Sequence, residues 1–212
     1  MNEFILGTLV GSVQTIIGHP LDTLKTNFQS NKKLSLKNDA IKKLYRGVSY
    51  PLISSIITNG FLFYWQDIID KKYDNKFYSG FISGFLTGPL INCFEVYKVK
   101  EQLKYKGKIN FFSGLSATIP REAVGASIYF GTYYKLKEKY HPFISGSLAG
   151  LFSWFFTYPL DVIKTRLQSG EYNNWRTAIY KGNFSSGLGV CLLRSFIVNG
   201  FSFSVYDYFK ED

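Results

Sequence analysis

Long stretches without a charged residue dominate the sequence. Four of them contain no Asp, Glu, Lys or Arg: residues 4–21, 47–66, 77–94 and 140–160. A fifth, residues 109–134, is interrupted only by Arg121 and Glu122. A sixth, residues 182–206, is interrupted only by Arg194. Each approaches or reaches the ~20 residues with which an α-helix crosses the apolar core of a bilayer. The sequence therefore predicts an all-α membrane protein with six transmembrane helices. We number them as spans one to six in chain order, so that residues 109–134 are span four and residues 140–160 are span five.

The basic residues are concentrated on one side of these spans. The formal net charge is +10, which in a soluble protein would favour a nucleic-acid partner. The segments after spans one, three and five hold 16 basic and six acidic residues, whereas the opposite side holds seven basic and eight acidic residues. This asymmetry is typical of multi-pass membrane proteins. We therefore expect a membrane topology, no nucleic-acid polymer as partner, and both termini on the less basic side.

Three segments, beginning at Gly7, Gly80 and Gly146, align with one another without gaps. Each contains a Gly-x-x-x-Gly pair, then an acid with a base three residues later, then a glutamine. The sets are Asp22, Lys25 and Gln29; Glu95, Lys98 and Gln102; and Asp161, Lys164 and Gln168. Internal repeats of this length indicate one supersecondary unit used several times. We predict a single domain over residues 1–212, built from three tandem two-helix repeats near residues 1–72, 73–140 and 141–212.

The repeated motif closely resembles the signature of the mitochondrial carrier family. Two copies are complete: Pro20-Leu21-Asp22-Thr23-Leu24-Lys25 and Pro159-Leu160-Asp161-Val162-Ile163-Lys164. The second copy has Cys93 where the others have proline, which puts a sharp kink in span three in doubt. The chain is shorter than is usual for the family. The resemblance therefore implies a shortened member. The shortened parts are the segments after the odd spans, above all the one after Lys98, where the family's short surface helix would be missing or rudimentary.

The resemblance implies a pseudo-threefold barrel of six tilted helices, multi-pass in the mitochondrial inner membrane. Such a carrier moves a small solute by alternating access, usually by exchange, needs no cofactor or metal and works as a monomer among membrane lipids. The membrane would be a host's if the gene were viral. No nucleophile has a neighbouring base and no metal-ligand cluster is evident, so we expect no enzymatic activity.

By the same resemblance, the acid–base pairs of the odd spans form a gate on the matrix side. Asp22 would pair with Lys98, Glu95 with Lys164, and Asp161 with Lys25, when the solute site faces outward. The three repeat glutamines would brace these pairs by hydrogen bonds. Exposed pairs contribute only about 0–1 kcal/mol each, so they can be made and broken during transport.

The outer gate would lie at the opposite ends of the even spans, in the pattern aromatic-acid-x-x-base. Its positions are Gln66, Asp67 and Asp70 on span two, Tyr133, Tyr134 and Lys137 on span four, and Tyr206, Asp207 and Lys210 on span six. Only span six carries the full pattern. Span four offers Lys210 only the hydroxyl of Tyr134 in place of an acid.

The outer gate is thus expected to contain one regular ion pair, Asp67 with Lys137. Asp207 would face a second acid, Asp70. We therefore expect a weak outer gate that favours the state open to the matrix. The alternative is that flanking residues such as Lys71 substitute for the missing partners.

Three charged residues lie near the middle of their spans, where ionisable groups are costly and usually functional. They are Arg121, Glu122 and Arg194, and they are our candidates for solute binding. Polar neighbours at similar levels complete the predicted site: Thr15, Ser54 and Ser55. The alternative for Arg121 and Glu122 is that they merely neutralise each other.

The solute class remains open at this point. An Arg–Glu pair on span four with an arginine on span six resembles carriers of amino acids and carnitine-like zwitterions, in which an acid meets an ammonium and arginines meet a carboxylate. The second hypothesis is a nucleotide or deoxynucleotide exchanger. The third is a membrane scaffold that transports nothing.

Overall fold

The computed structural model describes residues 2–29, 44–45, 47–102, 110–169, 174–180, 182, 184 and 187–211. Side chains are described in these ranges except at residues 23–29, 99–102, 169 and 211. The described residues form seven α-helices: α1 (Glu3–Gln29), α2 (Ser49–Tyr73), α3 (Lys76–Gln102), α4 (Leu115–Lys137), α5 (Pro142–Ser169), α6 (Trp175–Tyr180) and α7 (Leu188–Glu211). Helices α1 to α5 contain the predicted spans one to five, and α7 contains span six.

The six long helices form a closed ring. Each of α1 to α4 packs against the next helix in the chain, α5 packs against α7, and α7 packs back against α1. The short helix α6 lies against α5. The predicted all-helical fold class is confirmed. The division into three repeats stays a prediction.

Within the part of the chain that the structure describes, two helical segments are long and apolar enough to cross a membrane by length and composition alone, Glu3–Asp22 and Leu188–Lys210. The other long helices contain more polar residues, and many of these are buried. In α3, the most buried are Ser79, Ser83, Thr87 and Asn92, all at most 1% exposed. Thr87 Oγ1 donates a hydrogen bond to the Ser83 carbonyl over 2.7 Å. Such residues lower the mean hydropathy of a helix while keeping its polar groups away from lipid.

Glycine pairs bring the two helices of each predicted repeat close together. A Cβ atom added at any of them would overlap the partner helix: Gly7 and Gly11 against α2, Gly80 and Gly84 against α4, and Gly146 and Gly150 against α7. Small residues at such positions let helix backbones approach one another. Gly84 packs on the carbonyl of Glu122 and Gly150 on the side chain of Asn199, so this packing sets the height of residues that line the cavity.

Prolines lie inside three of the long helices, and one short surface helix is present. Helices α1 and α5 run through Pro20 and Pro159, and α3 contains Pro89, four residues before Cys93. The short surface helix is present after α5, as α6. Between α3 and α4, the part that the structure describes begins at residue 110, so the prediction for the segment after Lys98 lies largely outside the described residues.

Candidate functional site

A cavity of about 940 Å³ lies inside the ring. Its lining runs from Tyr129 and Asn199, in the middle of α4 and α7, to Gly47 and Lys98, which are exposed at the end where the basic segments lie. Within the described lining, no residue of the predicted outer gate occurs. The cavity therefore opens toward the basic side of the protein.

Five charged side chains meet on the wall formed by α3, α4 and α5. Arg121 Nη1 donates to Glu122 Oε1 over 2.6 Å, and its Nε lies 3.4 Å from Asp161 Oδ1. Lys164 Nζ donates to Glu95 Oε1 over 2.8 Å. The same ammonium lies 3.6 Å from Glu122 Oε1 and 3.5 Å from Asp161 Oδ1. The structure thus joins two predicted solute-binding residues to three predicted gate residues.

Lys164 is the centre of this charge network. Its side chain is only 4% exposed, and three carboxylates surround its ammonium. Charges attract more strongly there than in water, because the surrounding medium screens them less. The predicted contact between Glu95 and Lys164 is present even though the cavity is open on the side that this pair was expected to close. Arg121 and Glu122 do pair, but each also meets a gate residue, so they do not simply neutralise each other.

Arg194 lies on the wall formed by α1 and α7. Its Nε is 2.7 Å from Asp22 Oδ1, and Gly18 makes room for the guanidinium, because a Cβ there would overlap it. Lys98, the predicted partner of Asp22, is exposed and makes no ion pair with a described side chain. That pairing was predicted for the conformation with the matrix side closed, and this cavity is open on that side.

One of the three predicted glutamine braces can be located. Gln168 is 2% exposed. Its Nε2 donates to Glu95 Oε2 over 3.3 Å and to Asn92 Oδ1 over 3.1 Å. It therefore holds the acid of the Glu95–Lys164 pair as expected. Three predicted gate and brace residues lie outside the described side chains: Lys25, Gln29 and Gln102.

The smaller polar residues of the predicted site also reach the cavity. Thr15, Ser54 and Ser55 all line it. Two of their hydroxyls donate hydrogen bonds within the protein. Ser55 Oγ donates to the Gly11 carbonyl over 2.9 Å, and Thr15 Oγ1 donates to the same carbonyl over 3.0 Å. These two residues shape the wall, and the charged residues remain the groups able to select a solute.

Trp154 is a cavity residue that the sequence analysis missed. Its ring lies under the guanidinium of Arg121, 4.8 Å from the ring centroid, which is a cation–π geometry. It follows Gly150 by four residues on α5, so both lie on one helix face. Helical spacing from the glycine motif could therefore have indicated it.

A polar trio forms the inner end of the cavity and was also missed. Tyr129 Oη donates to Asn199 Oδ1 over 3.2 Å. Gln14 Nε2 lies 3.5 Å from Tyr129 Oη and 3.4 Å from Asn199 Oδ1. The trio links α1, α4 and α7 at the point where the cavity stops.

Beyond this trio, aromatic rings close the outer end of the barrel. Tyr133 and Phe203 stack with their centroids 3.5 Å apart. Phe63 packs edge-on against Phe130, at 5.0 Å, and at a tilt against Tyr206, at 5.1 Å. All five side chains are at most 1% exposed. We refer to these five residues as the aromatic plug.

Above the aromatic plug, the charged residues pair differently from the prediction. The observed pairs are Lys137 with Asp207 at 2.9 Å, Lys210 with Glu3 at 2.8 Å, Lys71 with Asp67 at 2.6 Å, and Lys76 with Asp70. The predicted pair of Asp67 with Lys137 is therefore wrong. The expectation that Asp207 would face the acid Asp70 is also wrong, because each of these acids contacts a lysine. Lys71 does pair with Asp67, but within α2, so it does not join two helices as a gate partner would.

The physical reason is that residues outside the motif supply the missing charges. Glu3 comes from the start of α1 and Lys76 from the start of α3. Lys210 also lies 3.5 Å from the Tyr134 hydroxyl, as expected. The cavity is open on the matrix side, as expected, but a weak outer gate would not favour that state. The outer gate is closed in the matrix-open state, so its weakness would destabilise that state.

A ring of six helices with a charge-lined cavity, open at one end and closed at the other, defines the class of transmembrane solute carriers. The sequence model of the mitochondrial carrier protein family matches residues 1–77 and 139–211. The chain belongs to this family, so it is a multi-pass transporter of the mitochondrial inner membrane and not an enzyme.

Individual relatives match along nearly the whole chain. The mitochondrial arginine transporter BAC2 of Arabidopsis thaliana is 29% identical over 97% of this chain and 89% of its own. Mitochondrial substrate carrier family protein L of Dictyostelium discoideum is 28% identical over 98% and 94%. The human mitochondrial basic amino acids transporter is 25% identical over 95% and 87%. The alignment with the Arabidopsis arginine transporter extends over 263 residues. That transporter therefore has residues that this chain of 212 residues lacks.

Proposed function

We propose that this carrier exchanges a basic amino acid, or a closely related zwitterion such as carnitine, by alternating access. The observation that carries the proposal is the pairing of Glu122 with Arg121 inside the cavity, with Arg194 on the facing wall. An ammonium or guanidinium of the solute would meet the carboxylates, and its carboxylate would meet an arginine.

The hydrogen bonding of the two arginines supports this assignment. The Nε atoms of Arg121 and Arg194 are buried and lie 3.4 Å and 2.7 Å from carboxylate oxygens of Asp161 and Asp22, but neither contact has the geometry of a hydrogen bond. A buried donor whose acceptor is poorly aligned forfeits part of the free energy of a hydrogen bond. A solute carboxylate in the cavity would offer either guanidinium a better aligned acceptor.

The acids of the cavity favour an amino acid over a nucleotide. Asp22, Glu95 and Glu122 all line it, and they would repel a triphosphate or diphosphate. The names of two relatives point the same way, because they are described as transporters of arginine and of basic amino acids.

The ring of helices closes on itself, and we propose that one chain transports as a monomer surrounded by lipid.

The test is exchange in proteoliposomes loaded separately with arginine, lysine, ornithine, carnitine, ADP or dATP. We expect exchange of basic amino acids. Glu122→Gln should raise the KM for arginine about tenfold or more, since one member of a buried charge pair is removed. The matched control is Glu138→Gln, because Glu138 is exposed at the outer end of α4.

Other outcomes would replace the proposal. Exchange of ADP or dATP without amino acids would make Arg121 and Arg194 phosphate ligands in a nucleotide carrier. Absence of exchange with every solute would favour the scaffold hypothesis. An equal effect of Glu122→Gln and Glu138→Gln would remove Glu122 from the solute site.

A further inference from the structure

Glu3 is an acid that no motif of the sequence singles out. It lies in the first turn of α1, and its side chain is only 13% exposed. Its Oε1 lies 2.8 Å from Lys210 Nζ, and its Oε2 accepts a hydrogen bond from Tyr206 Oη over 3.2 Å. Lys210 also donates to Tyr206 Oη over 2.6 Å. These three groups form a closed triangle between the first and the last helix.

Two other basic residues near this end are each paired with an acid of their own. Lys137 is paired with Asp207 and Lys71 with Asp67. On α4, the position that would carry an acid for Lys210 carries Tyr134, whose neutral hydroxyl lies 3.5 Å away. Among the described side chains, Glu3 is therefore the carboxylate in contact with Lys210.

We propose that Glu3 is a gating residue, which replaces the acid absent at Tyr134 and holds the outer end closed through Lys210. The pair bridges α1 and α7, where the ring closes. Opening the outer end separates these two helices, so the pair must break in each transport cycle. The proposal rests on alternating access and is independent of the solute.

Burial makes the pair stronger than the exposed pair of Lys71 with Asp67 at the same end. The side chain of Glu3 is 13% exposed and that of Lys210 is 37% exposed, whereas that of Lys71 is 74% exposed. A hydrogen bond to a charged group with restricted access to water contributes more than a surface pair. Loss of the Glu3 charge should therefore shift the population toward the outward-open state.

The experiment measures access from the outer side with a single cysteine. Leu62 lines the cavity and packs on the aromatic plug, so Leu62→Cys, with Cys93→Ser and Cys191→Ser, reports outward opening. A membrane-impermeant thiol reagent is added outside proteoliposomes of known carrier orientation. In Glu3→Gln we expect the initial labelling rate to rise about tenfold, which corresponds to loss of one charge-assisted hydrogen bond.

Matched variants separate gating from general damage. Lys210→Gln should raise labelling as much as Glu3→Gln, and the double variant should add nothing further, because both remove one interaction. Glu3→Asp keeps the charge and should label at a rate between wild type and Glu3→Gln. Glu138→Gln, an exposed acid at the same end, should label like wild type.

Two results would overturn the proposal: equal labelling of Glu3→Gln and Glu138→Gln, or additive effects of Glu3→Gln and Lys210→Gln. If Glu3→Gln fails to fold, the comparison of Glu3→Asp with wild type decides in its place. Uptake of arginine by the wild type is measured in the same vesicles. Absence of uptake would count against the proposed solute and would leave the labelling comparison valid.

Discussion

The two ends of the barrel are held together by different kinds of contact. At the matrix end, α3, α4 and α5 are joined by charges around Lys164, and α1 is joined to α7 by Asp22 and Arg194. At the outer end, the aromatic plug fills the space between the helices and the ion pairs lie above it. A charged solute in the cavity can compete directly for the ion pairs at the matrix end. It can affect the contacts at the outer end only by moving helices.

The largest effect is expected from Lys164→Gln. It leaves Glu95, Glu122 and Asp161 with Arg121 as the remaining base of the network, and removing one partner of a buried pair destabilises by about 3–5 kcal/mol. We expect loss of uptake and a clear fall in Tm in detergent. Lys98→Gln, an exposed lysine at the same end, should leave Tm unchanged. Equal Tm changes in the two variants would contradict a special role for Lys164.

The next effect is expected from Phe203→Ala in the aromatic plug. Truncating a buried phenylalanine costs about 3 kcal/mol or more, and here it removes the ring that stacks on Tyr133. Labelling of the Leu62→Cys reporter from the outer side should rise strongly. The control is Phe85→Ala, because Phe85 is 49% exposed on α3. Unchanged labelling in Phe203→Ala would mean that the charges, and not the rings, close this end.

A smaller effect is expected from Tyr133→Phe, which keeps the ring and removes the hydroxyl. That hydroxyl donates to Asp207 Oδ1 over 2.8 Å, and such a bond to a charged group contributes about 1.5–3 kcal/mol. The rise in outer labelling should be measurable but below that of Phe203→Ala. Tyr78→Phe, at an exposed ring, serves as the control. A larger effect of Tyr133→Phe than of Phe203→Ala would reverse the proposed order.

The smallest effect is expected from Lys71→Gln. The hydrogen bond with Asp67 raises the pKa of Lys71 above its ordinary value, so the lysine stays charged at working pH. The lysine is nevertheless exposed and the pair spans one turn of α2. We expect no detectable change in outer labelling or uptake. A rise in labelling like that of Glu3→Gln would show that surface pairs hold the outer end.

The sequence predicted the position of each site residue along the barrel axis better than it predicted which residue that side chain contacts. The pair Glu95–Lys164 and the brace Gln168 were predicted, because the repeat places them at one level of the barrel. The contact between Arg194 and Asp22 was not, because spacing along a helix does not determine how far the helix is rotated and tilted toward its neighbour. Gly18, which admits the guanidinium, shows its role only once α7 is packed against α1.

The outer pairs were mispredicted for a related reason. The family pattern restricts attention to the even spans, whereas Glu3 and Lys76 begin odd ones. For Lys76 a local signal existed, because α2 ends at Tyr73 and α3 begins at Lys76, so the short link brings Lys76 near Asp70. For Glu3 no local signal existed, since it meets Lys210 only when the first and last helices close the ring.

The glycine contacts inside each helix pair have a mechanical consequence. With backbone against backbone there are few flexible side chains to absorb sliding, so we expect each pair to move as one stiff lever. The trio Gln14, Tyr129 and Asn199, which joins α1, α4 and α7 between the two ends, is placed to act as the fulcrum. Spin-label distances should then stay constant within a pair, such as α3 with α4, and change between pairs, so that closing the matrix end spreads the outer one.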